Sequence, residues 1–205
     1  MLVTISGIDG AGKSSLAKKL EHILVVNGIK VKLIEFPCSK VWTMIENLEK
    51  KGDKFPTYGL NSTSVGMALN LERLAFMQDV VLPNLDVYQV VILQRYMLDF
   101  AAIGRAQNAG IADLELVEDI NRLLNVHKIS LFVDTQQNEA YRRINKRGIS
   151  VDIREQYDFH KHLYDSYQFL YNSNIFECYR LDGNLSLNEI TQQALEIIKM
   201  GGVPL

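Results

Sequence analysis

The chain has 205 residues, 47% hydrophobic and 22% charged, with a formal net charge of −2, which gives one globular domain the apolar mass for a substantial core. So even a balance of charge excludes the basic footprint of a nucleic-acid or anionic-membrane binder. The two cysteines, Cys38 and Cys178, lie too far apart for metal-ligand spacing and fit a reducing compartment best, with one bridge between them left open.

Leu2-Val3-Thr4-Ile5 is a short, β-branched run that reads as a buried strand. The chain thus enters a strand at once, without a basic segment and apolar signal stretch. No later apolar run approaches the roughly 20 residues needed to span a bilayer. The expectation is a soluble, cytoplasmic protein. After the strand comes Gly7-Ile8-Asp9-Gly10-Ala11-Gly12-Lys13-Ser14, the pattern of Gly, four residues, then Gly-Lys-Ser, followed by Leu16, Leu20, Ile23 and Leu24 at helical spacing. Strand, glycine loop and helix form the context that a phosphate-binding P-loop requires. The glycines let several N–H groups converge on one phosphate chain, and the helix adds its positive N-terminal end. Gly7, Asp9, Gly10, Ala11, Gly12, Lys13, Ser14 and Ser15 are therefore the candidate nucleotide-phosphate cradle. Lys13 would reach the outer phosphates and the Ser14 hydroxyl would ligate Mg2+.

Asn27-Gly28 supplies a C-cap and turn, and residues 30–36 read as a second strand ending at Phe36-Pro37. Ligands bind beyond strand C-termini in open α/β sheets, so Cys38, Ser39 and Lys40 are acceptor-site candidates, against the plain alternative of a proline-punctuated loop. Val41, Ile45 and Leu48 suggest a short helix, and residues 50–64 a long loop over a site. A helix over 64–82 carries Met67, Leu71, Leu74 and Val81 as an apolar stripe, and Pro83 is expected to stop it. Arg73 within that helix can either bond an acceptor bidentately or make a surface ion pair with Glu72 or Asp79.

Val90-Val91-Ile92-Leu93 is a continuous apolar run, as in a parallel strand covered on both faces, and it delivers Gln94-Arg95-Tyr96 to its C-terminal end. Helices are expected over 98–107 and 113–126, then a buried strand over 129–133 ending in Asp134. A helix from Gln137 carries Arg142, Arg143, Lys146 and Arg147 into a polar loop over 148–154. Such a cluster either solvates a helix face or closes over phosphates, and the second reading is preferred here. A helix over 154–171 presents His160, Leu163, Tyr164, Tyr167 and Leu170 as what reads as a core stripe. A strand over 178–181 and a helix bearing Leu187, Ile190, Ala194 and Ile197 close the chain. Strands alternating with helices predict an α/β fold of three layers, a five-stranded parallel sheet with helices on both faces.

This order of elements resembles the nucleoside monophosphate kinases, and among them the thymidylate kinase family, over nearly the whole chain. Residues 7–14 look like that family's P-loop, including Asp9, which there binds the acceptor's sugar hydroxyl. Phe36-Pro37 is similar to its acceptor-phosphate loop. The run 71–83 resembles the helix whose arginine, here Arg73, contacts the acceptor. Gln94-Arg95-Tyr96 stands where the family has Asp-Arg-aromatic, and residues 142–156 stand where it has a lid. Because Gly10 replaces the P-loop arginine of one subgroup, the resemblance implies lid arginines in catalysis, Arg143 and Arg147, together with Lys13 and Arg95. The implied acceptor site takes Asp9, Phe36, Pro37, Lys40, Leu69, Arg73, Arg95, Tyr96 and Asp99. Leu69 falls where a phenylalanine usually stacks on thymine. Asp99, Ala102 and Ile103 alter the base-side segment, and Gln94 replaces the aspartate that steers magnesium. The resemblance thus implies ATP- and Mg2+-dependent phosphorylation of a nucleoside monophosphate, by default dTMP to dTDP, with a homodimer through the helix over 64–82. A kinase for a non-thymine nucleotide, a nucleoside or another small metabolite is the first alternative. A nucleotide-binding protein with little catalysis is the second.

Overall fold

The computed structural model of the chain describes residues 1–36, 40, 41, 43, 62–106, 117–120, 122, 124, 126–146 and 157–204. The expected short helix at 41–48, the loop over 50–64, the turn at 109–110, Pro37, Cys38, Ser39 and the segment 147–156 lie wholly or mostly outside them. Five strands pair in parallel, β1 (Leu2–Ser6), β2 (Val31–Glu35), β3 (Val90–Gln94), β4 (Lys128–Asp134) and β5 (Tyr179–Asp182), in the order β2-β3-β1-β4-β5. All five residues of β1 and of β3 are buried, as a parallel sheet covered on both faces demands.

Helices among the described residues include α1 (Lys13–Val26), α2 (Ser62–Phe76), α3 (Leu82–Val87), α4 (Met97–Ala106), α5 (Gln137–Asn145), α6 (Tyr157–Asn172) and α7 (Leu187–Met200). Side chains alternate along β4, and the two faces meet different partners. Ile129 abuts Gly201 at the end of α7, whereas Phe132 stacks on Tyr167 of α6 with ring centroids 5.5 Å apart. Two helical layers therefore sandwich the sheet. The start of α7 is set by its own sequence. Ser186 accepts from the Glu189 N–H and its own N–H donates to the Glu189 carboxylate, a reciprocal capping box. Among the described residues no helix is long and apolar enough to cross a membrane.

Pro83 does not end its helix as expected. Residues 77–81 form a π-helical turn in which the Leu82 N–H reaches back five residues to Met77 O. The chain then re-enters an α-helix with Pro83 in its first turn. There the missing proline N–H costs little, because first-turn N–H groups have no partner within their own helix. The extra residue in the turn converts a helix breaker into a helix starter.

With β1 at the centre, the chain after α1 builds β2 and β3 on one side and only later adds β4 and β5 on the other. The C-terminal ends of β1 and β3 therefore flank the point where the winding reverses, the crevice in which open α/β sheets bind ligands. The glycine loop leaves β1 at this crevice, and Gln94 and Arg95 leave β3 beside it.

Candidate active site

Two of the loop's glycines are required by geometry. Gly10 has φ +83°, and a Cβ there would lie 2.2 Å from Ala140 O of α5; Gly12 has φ +99° and opens α1. No side chain caps α1, so its first turn is presented to an anion. Thr135 Oγ1 donates to Ala11 O at 3.1 Å and pins the loop to the end of β4. Lys13 is buried, and its ammonium donates to Gly7 O at 2.7 Å and Ile8 O at 2.8 Å while lying 3.7 Å from the Asp9 carboxylate. The loop's own carbonyls thus hold the lysine at its mouth. Ser15 is exposed next to Ser14 at the helix start.

Ser14 Oγ donates to Gln94 Oε1 at 2.7 Å. With its proton committed there, the hydroxyl oxygen retains lone pairs for a cation. Among the described residues no group of three or more His, Cys, Asp or Glu could hold a metal ion. A site of one hydroxyl and a neutral amide nevertheless fits Mg2+, which keeps several waters and takes phosphate oxygens as ligands.

Arg95 pairs with the Asp9 carboxylate and adopts φ +69°, with its N–H bonded to Ile5 O of β1. Burial disfavours its charge, but Asp9 and Asp99 more than offset this and raise its pKa above the ordinary arginine value. Arg73 on α2 is buried, donates to Asn70 Oδ1 at 2.8 Å and lies over the Phe100 ring at 3.9 Å. Phe36 packs edge-on against Phe76 and Phe100. Leu69, one turn before Arg73, is also buried. Lys40 is exposed and is tied to α2 through its backbone N–H, 2.6 Å from Glu72 Oε1.

Of the basic cluster, Arg142 is exposed and pairs with Glu139. Arg143 is oriented on two sides, by Nε to Glu139 Oε1 at 2.8 Å and by Nη2 to Gly183 O at 3.1 Å. Its Nη1 comes within 3.9 Å of the position a Cβ on Gly12 would take. Hydrogen bonds from Arg142 and then Arg143 hold the Glu139 carboxyl down at about 2, so it stays ionised and keeps its grip. Lys146 is exposed, and Arg147 lies outside the described residues.

Two expected acceptor residues are engaged by the protein's own groups in the structure. Asp99 is fully buried; its Oδ1 accepts from Tyr167 OH at 2.6 Å and Gly7 N at 3.4 Å, and its Oδ2 accepts from Tyr96 N at 2.9 Å. The carboxylate thus ties the glycine loop to the start of α4 and to α6. The Tyr96 ring lies 5.9 Å from the Lys128 ammonium and lines a cavity of about 520 Å³ with Thr4, Ser130 and Lys128, the last being the first residue of β4. Burial pushes its phenol up to about 12, and its hydroxyl has no hydrogen-bond partner. Tyr96→Phe is therefore expected to leave acceptor KM unchanged. It should stabilise the fold by about 1 kcal/mol, read as a rise in the urea midpoint.

Sequence reasoning missed two residues of this neighbourhood. His160 and Tyr167, read as a core stripe, both turn polar atoms onto the glycine loop. The only signal was polarity within an otherwise apolar stripe.

A family model described as "Thymidylate kinase" matches residues 5–194. The chain is also similar to curated relatives along nearly their whole length. It is 23% identical over 199 residues to "Thymidylate kinase" of Thermoanaerobacter sp. (strain X514), covering 96% of both chains. It is 27% identical over 204 residues to "Thymidylate kinase" of Leptospira interrogans, covering 96% of this chain and 93% of the relative. It is 26% identical over 196 residues to "Probable thymidylate kinase" of Staphylothermus marinus, with the same coverage of 96% and 93%.

Proposed function

The chain belongs to the thymidylate kinase family, and from that premise we propose that it transfers the terminal phosphoryl group of ATP to dTMP, giving dTDP and ADP. The observation that carries this reading is the convergence of Lys13, Asp9, Arg95 and Arg143 on the mouth of one glycine loop. In this reading residues 7–15 cradle the ATP phosphates, with Lys13 exchanging loop carbonyls for outer phosphate oxygens. Mg2+, held through Ser14 and the phosphates, would neutralise part of their charge. Asp9 holds the acceptor sugar. Arg73 and Arg95 orient the acceptor so that its phosphate oxygen lies in line with the terminal phosphorus. That oxygen forms the new bond as the bond to the bridging oxygen of ADP breaks. Arg143, with Arg147, stabilises the charge on the transferred group. Alignment and electrostatics supply the rate, because the nucleophile is already anionic.

We assign the enzyme to the cytoplasm and the exposed Met67 and Leu71 of α2 to a homodimer contact. A second reading, phosphoryl transfer to an acceptor without thymine, is favoured by one observation: Leu69 presents no ring for base stacking. An ADP-release assay across dTMP, other nucleoside monophosphates and nucleosides decides between them. The expected result is the highest kcat/KM with dTMP. Preference for another acceptor establishes the second reading, and Mg-ATP binding without any product removes both.

A further inference from the structure

The chain of contacts beneath the glycine loop runs to α6. His160 is fully buried there, with Nε2 2.8 Å from the backbone oxygen of Asp9 and Nδ1 3.4 Å from the side-chain nitrogen of Gln137. A carbonyl only accepts, so Nε2 carries the proton; Nδ1 then accepts from the Gln137 amide. Two helical turns on, on the same face of α6, Tyr167 OH donates to Asp99, which in turn accepts the Gly7 N–H. Thus α6 grips the loop at both Gly7 and Asp9. Gln137 lies on α5, which also carries Arg143 and places Ala140 O against Gly10. His160 therefore joins α5, α6 and the Asp9 peptide at one point, and the carboxylate on that peptide pairs with Arg95.

We propose that His160 is a positioning residue that fixes the Asp9 peptide and so aims the Asp9 carboxylate at the acceptor, with no direct part in holding ATP. The inference rests on the proposed role of Asp9 with a nucleoside monophosphate. His160→Phe keeps a ring in the core but removes the donor, while His160→Gln offers an amide N–H at a similar reach. The expected result is a rise of about tenfold in the KM for dTMP in His160→Phe, the effect of losing one buried hydrogen bond. The KM for ATP should stay within about twofold, and His160→Gln should recover most of the loss. A merely structural histidine would lower the melting temperature of both variants and leave the two KM values in their original ratio, which overturns the proposal. A second measurement needs no variant. Long-range 1H–15N correlation on the histidine-labelled parent protein is expected to show the Nε2–H tautomer at His160, and the Nδ1–H tautomer would also overturn it. Should the parent turn over no acceptor at all, the fault lies with the proposed function. Should it turn over dTMP while His160→Phe matches its KM, the fault lies with His160 alone.

Discussion

Replacing Lys13 by alanine is expected to lower kcat about 10²–10³-fold, the loss seen when one preorganised charge partner of a transition state is removed. The fold should be largely retained. The lysine is held by Gly7 O and Ile8 O, and both are backbone carbonyls at a loop mouth that water can reach once the side chain is gone. Activity, not melting temperature, should therefore carry the effect. Steady-state kinetics paired with a thermal melt check both halves. A variant with undiminished kcat would remove Lys13 from the phosphate site, and one that failed to fold would make it a structural residue instead.

The second large effect is expected at Asp99 and has the opposite signature. Asp99→Ala leaves Gly7 N and Tyr96 N without their side-chain acceptor, leaves Tyr167 OH only Gly7 O at 3.2 Å, and strips a negative charge from beside Arg95. Buried donors left unpaired around a removed charge cost about 3 kcal/mol. For a chain of this size that is a fall of roughly 6–12 °C in Tm. Asp99→Asn keeps the shape and one oxygen acceptor and should fall between the two. A melting temperature unchanged in Asp99→Ala would mean that water satisfies those donors and that the carboxylate anchors nothing.

Much of the architecture could be read from local pattern. The glycine loop announces itself because its chemistry is encoded in eight consecutive residues, and β1, β3 and β4 because strands buried on both faces are continuous apolar runs. What escaped depended on contacts between residues distant in sequence. Asp99 and Tyr96 sit near the start of α4, where side-chain direction is decided by Tyr167 and Lys128, some 70 and 32 positions away. His160 looked apolar by position because its partner is a backbone oxygen, which leaves no trace in side-chain periodicity. Pro83 misled for a related reason. Propensity treats a proline as a stop, and the π-helical turn that disarms it has no signature in spacing.

That turn has a consequence for the acceptor side of the crevice. Each residue inserted into a helix rotates everything upstream by about 100° relative to everything downstream. The end of α3 is registered against the sheet through β3, so the surplus residue within 77–81 sets the azimuth at which α2 presents Leu69 and Arg73. Restoring a regular spiral by excising one residue there would swing the Arg73 guanidinium off the Phe100 ring. The angular aim of an arginine is thus governed by a defect more than a helical turn further along the chain.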